Sequence, residues 1–332
     1  MQKANQKAME VAMKQFNAKL ASTNTVTQTT DSISHIEQIM ANAIVSARTF
    51  DPAVGIPVYT AVADKWSLFT GSTSNMLQTY ADKPTATGDT DLADQEFTII
   101  TQSIFHEIAY RIFKNTVWKE AIANIATQGL PPEFEAFIVS YTSGSIAAEV
   151  ETTLWNANSG LAGAPTAAQP GFWKIIFDLL TAATLTGQIV DFAADVTAIA
   201  TVQASLQELV DAAPLALIAD KQNVKIFCSP QVETSYRRSL QLQAYAVLSS
   251  EPTNFSGYEL VVIPNMRPDA VVMGYAGNLG LGMPSNTELV DLLVVDMFTQ
   301  GLGNFAMIVG NIGYGAGAAT TDWVIGANTA PA

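Results

Sequence analysis

Only one cysteine, Cys228, occurs in 332 residues. A single thiol excludes an intrachain disulfide and a cysteine-rich metal site, and its place inside an apolar run predicts a small buried hydrophobe. Histidine is as scarce: His35 and His106 stand far apart with no second histidine at ligand spacing. Neither a zinc site nor a serine–histidine–aspartate triad has its parts, and His106-Glu107 lacks the partner histidine of a metalloprotease helix. A phosphate-loop lysine motif and a nucleophile-elbow glycine–serine pattern are also missing. No apolar run reaches the ~18–20 residues that cross a bilayer, and the N-terminus has no signal-type apolar region. The expectation is a soluble chain with no membrane partner, not exported by the standard route. Charged residues make up 14% of the chain and hydrophobic ones 48%. That balance excludes general disorder and allows a substantial core, expected to divide into two lobes. With 16 basic residues against 30 acidic ones, the net charge is −14. A surface that clamps nucleic acid all round is excluded. The one basic concentration is at the start, where Lys3, Lys7, Lys14 and Lys19 face Glu10 alone.

What is present is a sequence of patterned segments. Residues 3–20 read as a helix, with Met9, Val11, Met13, Phe16 and Leu20 among the lysines. Residues 21–30, rich in Ser, Thr and Asn, read as a linker. Asp31 or Ser32 caps a second helix running to Arg48. From Pro57 to Gln95 weak strand signals, including Val58–Val62 and Trp66–Phe69, lead to a polar, acidic tip around residues 82–94. Nearly forty residues of this kind exceed an ordinary loop, which predicts a dedicated role. Glu96 to Gln128 has spacings that suit one or two helices, after a short strand at Phe97–Ile100. Pro131 and Pro132 suit a helix's first turn, and Glu133 and Glu135 favour its positive end. Phe134, Phe137, Ile138, Tyr141, Ile146, Val150 and Leu154 carry that helix to a stop near Asn158-Ser159-Gly160. At 1.5 Å per residue it is ~40 Å long, with a bend expected near Gly144. Leu161 to Pro170 reads as a hinge. Beyond it, Phe172–Leu180 is apolar, Thr197–Ala213 is a helix, and Leu289–Phe298, Phe305–Ile312 and Trp323–Ile325 are strands.

One stretch organises the second half. Val224, Lys225, Ile226 and Phe227 form a buried strand, and Ser229-Pro230 stops it because proline has no N–H to give a ladder. Helical spacing follows, with Val232, Tyr236, Leu240 and Leu242 among Glu233, Arg237 and Arg238. Then come Tyr258–Ile263 with Pro264 and Ala270–Tyr275, two further strands. A strand ending in Ser-Pro, a short helix, a strand ending in Pro and another strand resemble, in that order, the central domain of major capsid proteins of tailed bacteriophages.

That resemblance implies an α+β, HK97-like capsid fold with an N-terminal arm (1–50), an extended β-hairpin loop (51–96), a peripheral domain (97–165) with a long spine helix (131–158), an α/β axial domain (166–289) and a return to the peripheral domain (290–332). It implies a subunit, not an enzyme, that self-assembles into hexamers and pentamers of an icosahedral head enclosing double-stranded DNA. The loop would reach over a neighbouring subunit, and Lys3, Lys7, Lys14 and Lys19 would face the packaged DNA without sequence specificity. The implied partners are a portal and a separate scaffolding protein, since only about thirty residues precede the second helix. The implied location is the virion, assembled in the host cytoplasm. Some members join a loop lysine to an asparagine near the C-terminus; Lys65 or Lys83 and Asn328 occupy such positions. An encapsulin-like nanocompartment shell of the same fold is an alternative, and a soluble α/β enzyme with an unrecognised site is another.

Other motifs have plainer readings. Gly301-Leu302-Gly303-Asn304-Phe305-Ala306 matches a dinucleotide fingerprint by letter, but the glycines after it suit a strand and a glycine-rich turn, not the helix the motif needs. Asp89, Asp91, Asp94 and Glu96 suggest a calcium loop, yet its glycine and closing glutamate are absent; a solvated acidic tip or a lattice ion site remain. Arg237 and Arg238 either bridge subunits or solvate a helix. Trp66, Trp118, Trp155, Trp173 and Trp323 are too spread for a base-stacking platform. No cofactor and no catalytic or metal residue is assigned.

Overall fold

A computed structural model describes residues 48–60, 65–74, 89–113, 132–161, 164, 167, 169–242, 254–284, 290–297 and 304–328. The strand Val224–Cys228 (β6) lies where the β-branched run predicts it, inside a six-stranded sheet. Its order is β5 (Ile189–Asp191), β13 (Trp323–Ala327), β9 (Ala270–Tyr275), β6, β8 (Tyr258–Val262) and β7 (Asn254–Phe255). β6 runs parallel to β8 and antiparallel to β9. Alternation along these strands divides the side chains between two cores, because successive residues point to opposite faces. Phe227, Val261, Val272, Trp323 and Ile325 enter one core, and Ile226, Cys228, Leu260, Val271, Met273 and Val324 enter the other.

The second core is closed by two helices, Val202–Asp211 (α3) and Pro230–Gln241 (α5). α5 starts as its sequence dictates: Ser229 is the N-cap, its Oγ accepts from the Val232 N–H at 3.3 Å, Pro230 takes the first turn, and Glu233 follows. α3 begins later than the Thr197 expected from periodicity. Asp195 Oδ1 accepts from both the N–H and the hydroxyl of Thr197, and the Thr201 hydroxyl donates to the Asp195 carbonyl. Those side-chain bonds offer the backbone an alternative to the helix. A short helix, Leu215–Ala219 (α4), leads into β6.

The first core lies under two other helices. Pro132–Asn156 (α1) is 25 residues long and runs unbroken through Gly144, so it spans ~38 Å. Asn158 and Gly160 adopt positive φ just beyond its end. Phe172–Ala182 (α2) buries Phe172, Trp173, Ile176 and Leu180.

A five-stranded sheet is built around one long strand, Phe305–Ala318 (β12). Its first ten residues pair with Ile100–Ala109 (β4), and Ala306–Ile312 also pairs with Val290–Asp296 (β11) on the other side. Its last four residues pair with Leu279–Gly282 (β10), which lies beside Val58–Tyr59 (β1). Two expectations are corrected here. The short strand expected at Phe97–Ile100 falls at the end of the strand Asp89–Thr98 and the start of β4, but the residues after it, to Ala109, are strand and not helix, because they find a ladder on β12, a partner about two hundred residues away. The glycine-rich stretch from Gly313 to Gly317 is strand rather than turn, since missing side chains make room for Pro284 at Gly313, the Thr98 carbonyl at Gly315 and the Phe97 ring at Gly317. A third sheet has two strands, Lys65–Ser74 (β2) and Asp89–Thr98 (β3), paired antiparallel along their whole length. The last strand also differs from expectation: β12 pairs with β4, but β13 pairs with β5 and β9 in the six-stranded sheet.

Candidate assembly surfaces

The β2–β3 pair forms a sheet of its own, ten residues deep, or ~33 Å at 3.3 Å per residue. Its root is fixed by packing. Trp66, Leu68 and Phe97 are buried, while Lys65, Gly71, Asp94 and Glu96 are exposed. Trp66 pairs in register with Phe97, their ring centroids 5.3 Å apart, and the Tyr59 ring packs tilted against Trp66 at 5.0 Å. The surface beneath is glycine. A Cβ on Gly280 would stand 2.5 Å from Trp66, one on Gly282 2.6 Å from it, and one on Gly317 2.7 Å from Phe97. Such distances are impossible for real side chains, so the three glycines are seats for two aromatic anchors.

The chain reaches this root through a strap, Arg48 to Ile56, that crosses between α1 and the six-stranded sheet. Phe50, Val54 and Ile56 are buried in the first core. Glu151 on α1 is 1% exposed; its Oε1 accepts from the N–H and hydroxyl of Thr49, each at 3.0 Å, and its Oε2 accepts from Asn265 Nδ2 at 2.8 Å. Trp155 Nε1 donates to the Thr49 hydroxyl at 2.9 Å. From β6, Lys225 Nζ donates to the carbonyls of Ala53 and Val54 at 3.0 and 3.2 Å, and it pairs with Glu259 at 3.4 Å.

A third surface is apolar and faces outward along α1 and β4. Phe105 is 65% exposed and Tyr141 71%, with Ile112 and Phe137 also exposed. Phe134, Phe137 and Tyr141 stack in succession along the helix. Beneath, a groove of about 490 Å³ between β4 and α1 is lined by Gln102, Ile104, Ile146, Val150 and Tyr314 among others. Burial pushes the Tyr314 hydroxyl up to about 12, and it donates to Gln102 Oε1 at 3.3 Å.

The residues singled out from sequence are scattered through this frame. Cys228 is fully buried, and burial pushes its thiol up to about 12. His106 is exposed on β4 opposite Ile308; His35 lies outside the described residues. Among the described residues no cluster of three His, Cys, Asp or Glu side chains could hold a metal ion, and no helix is long and apolar enough to cross a membrane. Asp89, Asp91, Asp94 and Glu96 fall along β3, a strand and not a loop tip. Phe305 and Ala306 open β12, so the fingerprint's end enters a strand; residues 301–303 lie outside the described residues. Arg237 pairs with Glu233 one turn away on α5, and Arg238 is exposed. Lys65 pairs with Glu96 across β2–β3, while Asn328 donates to Asp195 at 2.7 Å and accepts from the Val196 N–H at 3.0 Å. Trp66, Trp155, Trp173 and Trp323 are all core residues. Lys3, Lys7, Lys14, Lys19, Lys83 and Trp118 lie outside the described residues. Glu151, Thr49 and the glycine seats escaped sequence reading. Their partners are a hundred or more residues away, and only the run of glycines left any trace.

No protein-family model matches the chain, and no curated protein matches it. Solved structures do. A chain of the satellite phage P4 procapsid, which includes the size determination (Sid) protein, aligns at a TM-score of 0.56 and 9% identity, over 88% of this chain and 98% of that one. A chain of the capsid of the native GTA particle aligns at 0.52 and 11% identity, over 84% and 89%. The chain has the fold of phage capsid subunits. At these identities the shared feature is the fold.

Proposed function

We propose that this chain is the major capsid protein of a tailed phage, a structural subunit and not an enzyme. The observation that carries the reading is the alignment with 98% of the P4 procapsid chain. A whole subunit fold is shared, not one motif within it. The surfaces described above support the same role. The β2–β3 pair, a sheet of its own seated at its root, suits the extended loop proposed for residues 51–96, lying on a neighbouring subunit. The exposed apolar stripe at Phe105, Phe137 and Tyr141 suits burial against another copy. α1 serves as the spine of a peripheral domain built from 97–165 and the returning β11 and β12, and 166–289 forms most of the axial domain. Residues 1–50 form the arm, whose Lys3, Lys7, Lys14 and Lys19 face the packaged DNA.

In this reading hexamers and pentamers close into an icosahedral head with a portal and a separate scaffold, assembled in the host cytoplasm and ending in the virion. Many weak contacts repeated by symmetry provide the stability, so no single residue carries the function. The test is light scattering with negative-stain electron microscopy on the purified chain, alone and co-expressed with its neighbouring genes. Closed shells, or rings of five and six, are the expected result. A monomer under every condition would overturn the proposal. Shells that hold a protein cargo instead of DNA would move it to the nanocompartment alternative.

A further inference from the structure

The strap from Arg48 to Ile56 is gripped twice, by charges of opposite sign from two different parts of the fold. Glu151 grips it at Thr49 from α1, and Lys225 grips it at Ala53 and Val54 from β6. The α1 grip extends further into the six-stranded sheet's own connections. Asn265, which donates to Glu151, lies in the turn between β8 and β9, and its carbonyl accepts from Asn156 Nδ2 at 3.0 Å. Asn156 Oδ1 in turn accepts from the Arg267 N–H at 3.0 Å. Three segments far apart in sequence therefore meet at one buried carboxylate.

The chemistry of the grip is all-or-none. The three donors to Glu151 among the described residues are neutral groups, so hydrogen bonds offset its burial. A buried carboxylate that loses such donors is left poorly solvated, so a half-open strap is disfavoured relative to a closed one. Past the strap, the chain runs through β1 to Tyr59, whose ring packs tilted against Trp66 at the root of the β2–β3 pair. The strap is thus continuous, through β1, with the root of the strand pair, which is seated on β10 and β12 of the five-stranded sheet.

We propose that Glu151 and Lys225 are positioning residues that lock this strap as a joint, fixing the angle of the β2–β3 pair and thereby the size of the shell. The effect on size rests on the capsid reading above. Repeated contacts between identical subunits close at a radius set by the angle between each subunit's contact surfaces, so a small change in that angle is multiplied around the assembly.

The experiment compares the unaltered chain with T49V, E151Q and K225M, and with K225R as the conservative control. Hydrogen exchange of the strap is measured in unassembled subunits, and particle diameters are measured by cryo-electron microscopy. Expected are subunits with unaltered circular dichroism, strap exchange faster by about tenfold or more, and shells of shifted or broadened diameter, with K225R close to the unaltered chain. Unchanged strap exchange overturns the grip. Faster exchange with shells of unaltered diameter overturns its control of size. No particles from the unaltered chain overturns the capsid reading instead, and strap exchange still decides the joint. Should E151Q fail to fold, T49V, which removes one hydroxyl, gives the deciding comparison.

Discussion

The six-stranded sheet and the root of the β2–β3 pair are both full of buried aromatic and aliphatic groups, but they are held together differently. In the sheet, strands carry their own large side chains into two cores, and helices next to them in sequence close one of those cores. At the root the receiving surface is bare backbone, Gly280, Gly282 and Gly317, and the bulk arrives from Trp66 and Phe97 on a separate pair of strands. The first arrangement makes a unit whose parts depend on one another throughout. The second makes an attachment seated at two rings.

Tryptophan truncation gives the largest effect and the sharpest contrast. Replacing a buried aromatic residue by alanine costs about 3–5 kcal/mol. W323A, in the sheet and packed on Gly274, is expected to lower the urea midpoint of the whole unassembled subunit. W66A is expected to lower it less and to raise hydrogen exchange chiefly in β2 and β3. Equal global loss from both would break the distinction.

Overpacking a seat comes next. G280V is expected to destabilise by about 1–3 kcal/mol, because the new side chain collides with the Trp66 ring. On the W66A background the penalty is expected to shrink markedly, since the colliding ring is gone. Additive losses in that double-mutant cycle would show that Gly280 is not a seat. On the sheet side, S229A removes the N-cap of α5 and is expected to cost about 1 kcal/mol in the same unfolding measurement.

The smallest effect concerns pH. The Thr197 hydroxyl and N–H, with a lesser part from Asn328, hold the Asp195 carboxyl below its ordinary value. A depressed carboxylate contributes stability above its unfolded value of about 3.9, and that contribution is lost as pH falls through the folded one. Asp195 is largely solvent-accessible, so the contribution is small. Thermal midpoints of the unaltered chain and D195N should therefore differ slightly at pH 6 and converge toward pH 3. A difference that grows on acidification would contradict the assignment.

Sequence and structure agree best where bonding is local. Ser229-Pro230-Gln231-Val232-Glu233 states a helix start in five consecutive residues, and the strands β6, β8 and β9 follow their β-branched runs. Pro132 and the four-residue apolar step announced α1 in the same way. The order of those elements was enough to suggest the capsid fold that the solved structures then showed. Where the partner is remote, reading failed: Ile100 to Ala109 looked helical until β12 supplied its ladder, and Gly313 to Gly317 looked like a turn until Phe97 filled the space above Gly317.

What the chain determined by itself is thus its local periods, caps and stops, together with the poverty of cysteine, histidine and charge that left catalysis so little to use. Those follow from backbone sterics, side-chain period and composition, which act within a few residues. The tertiary structure alone decided which strand lies beside which, that glycines seat Trp66 and Phe97, and that Glu151 meets Thr49 and Asn265. These depend on chain segments brought together across tens to hundreds of residues, and burial rewards such meetings only once the whole fold has formed.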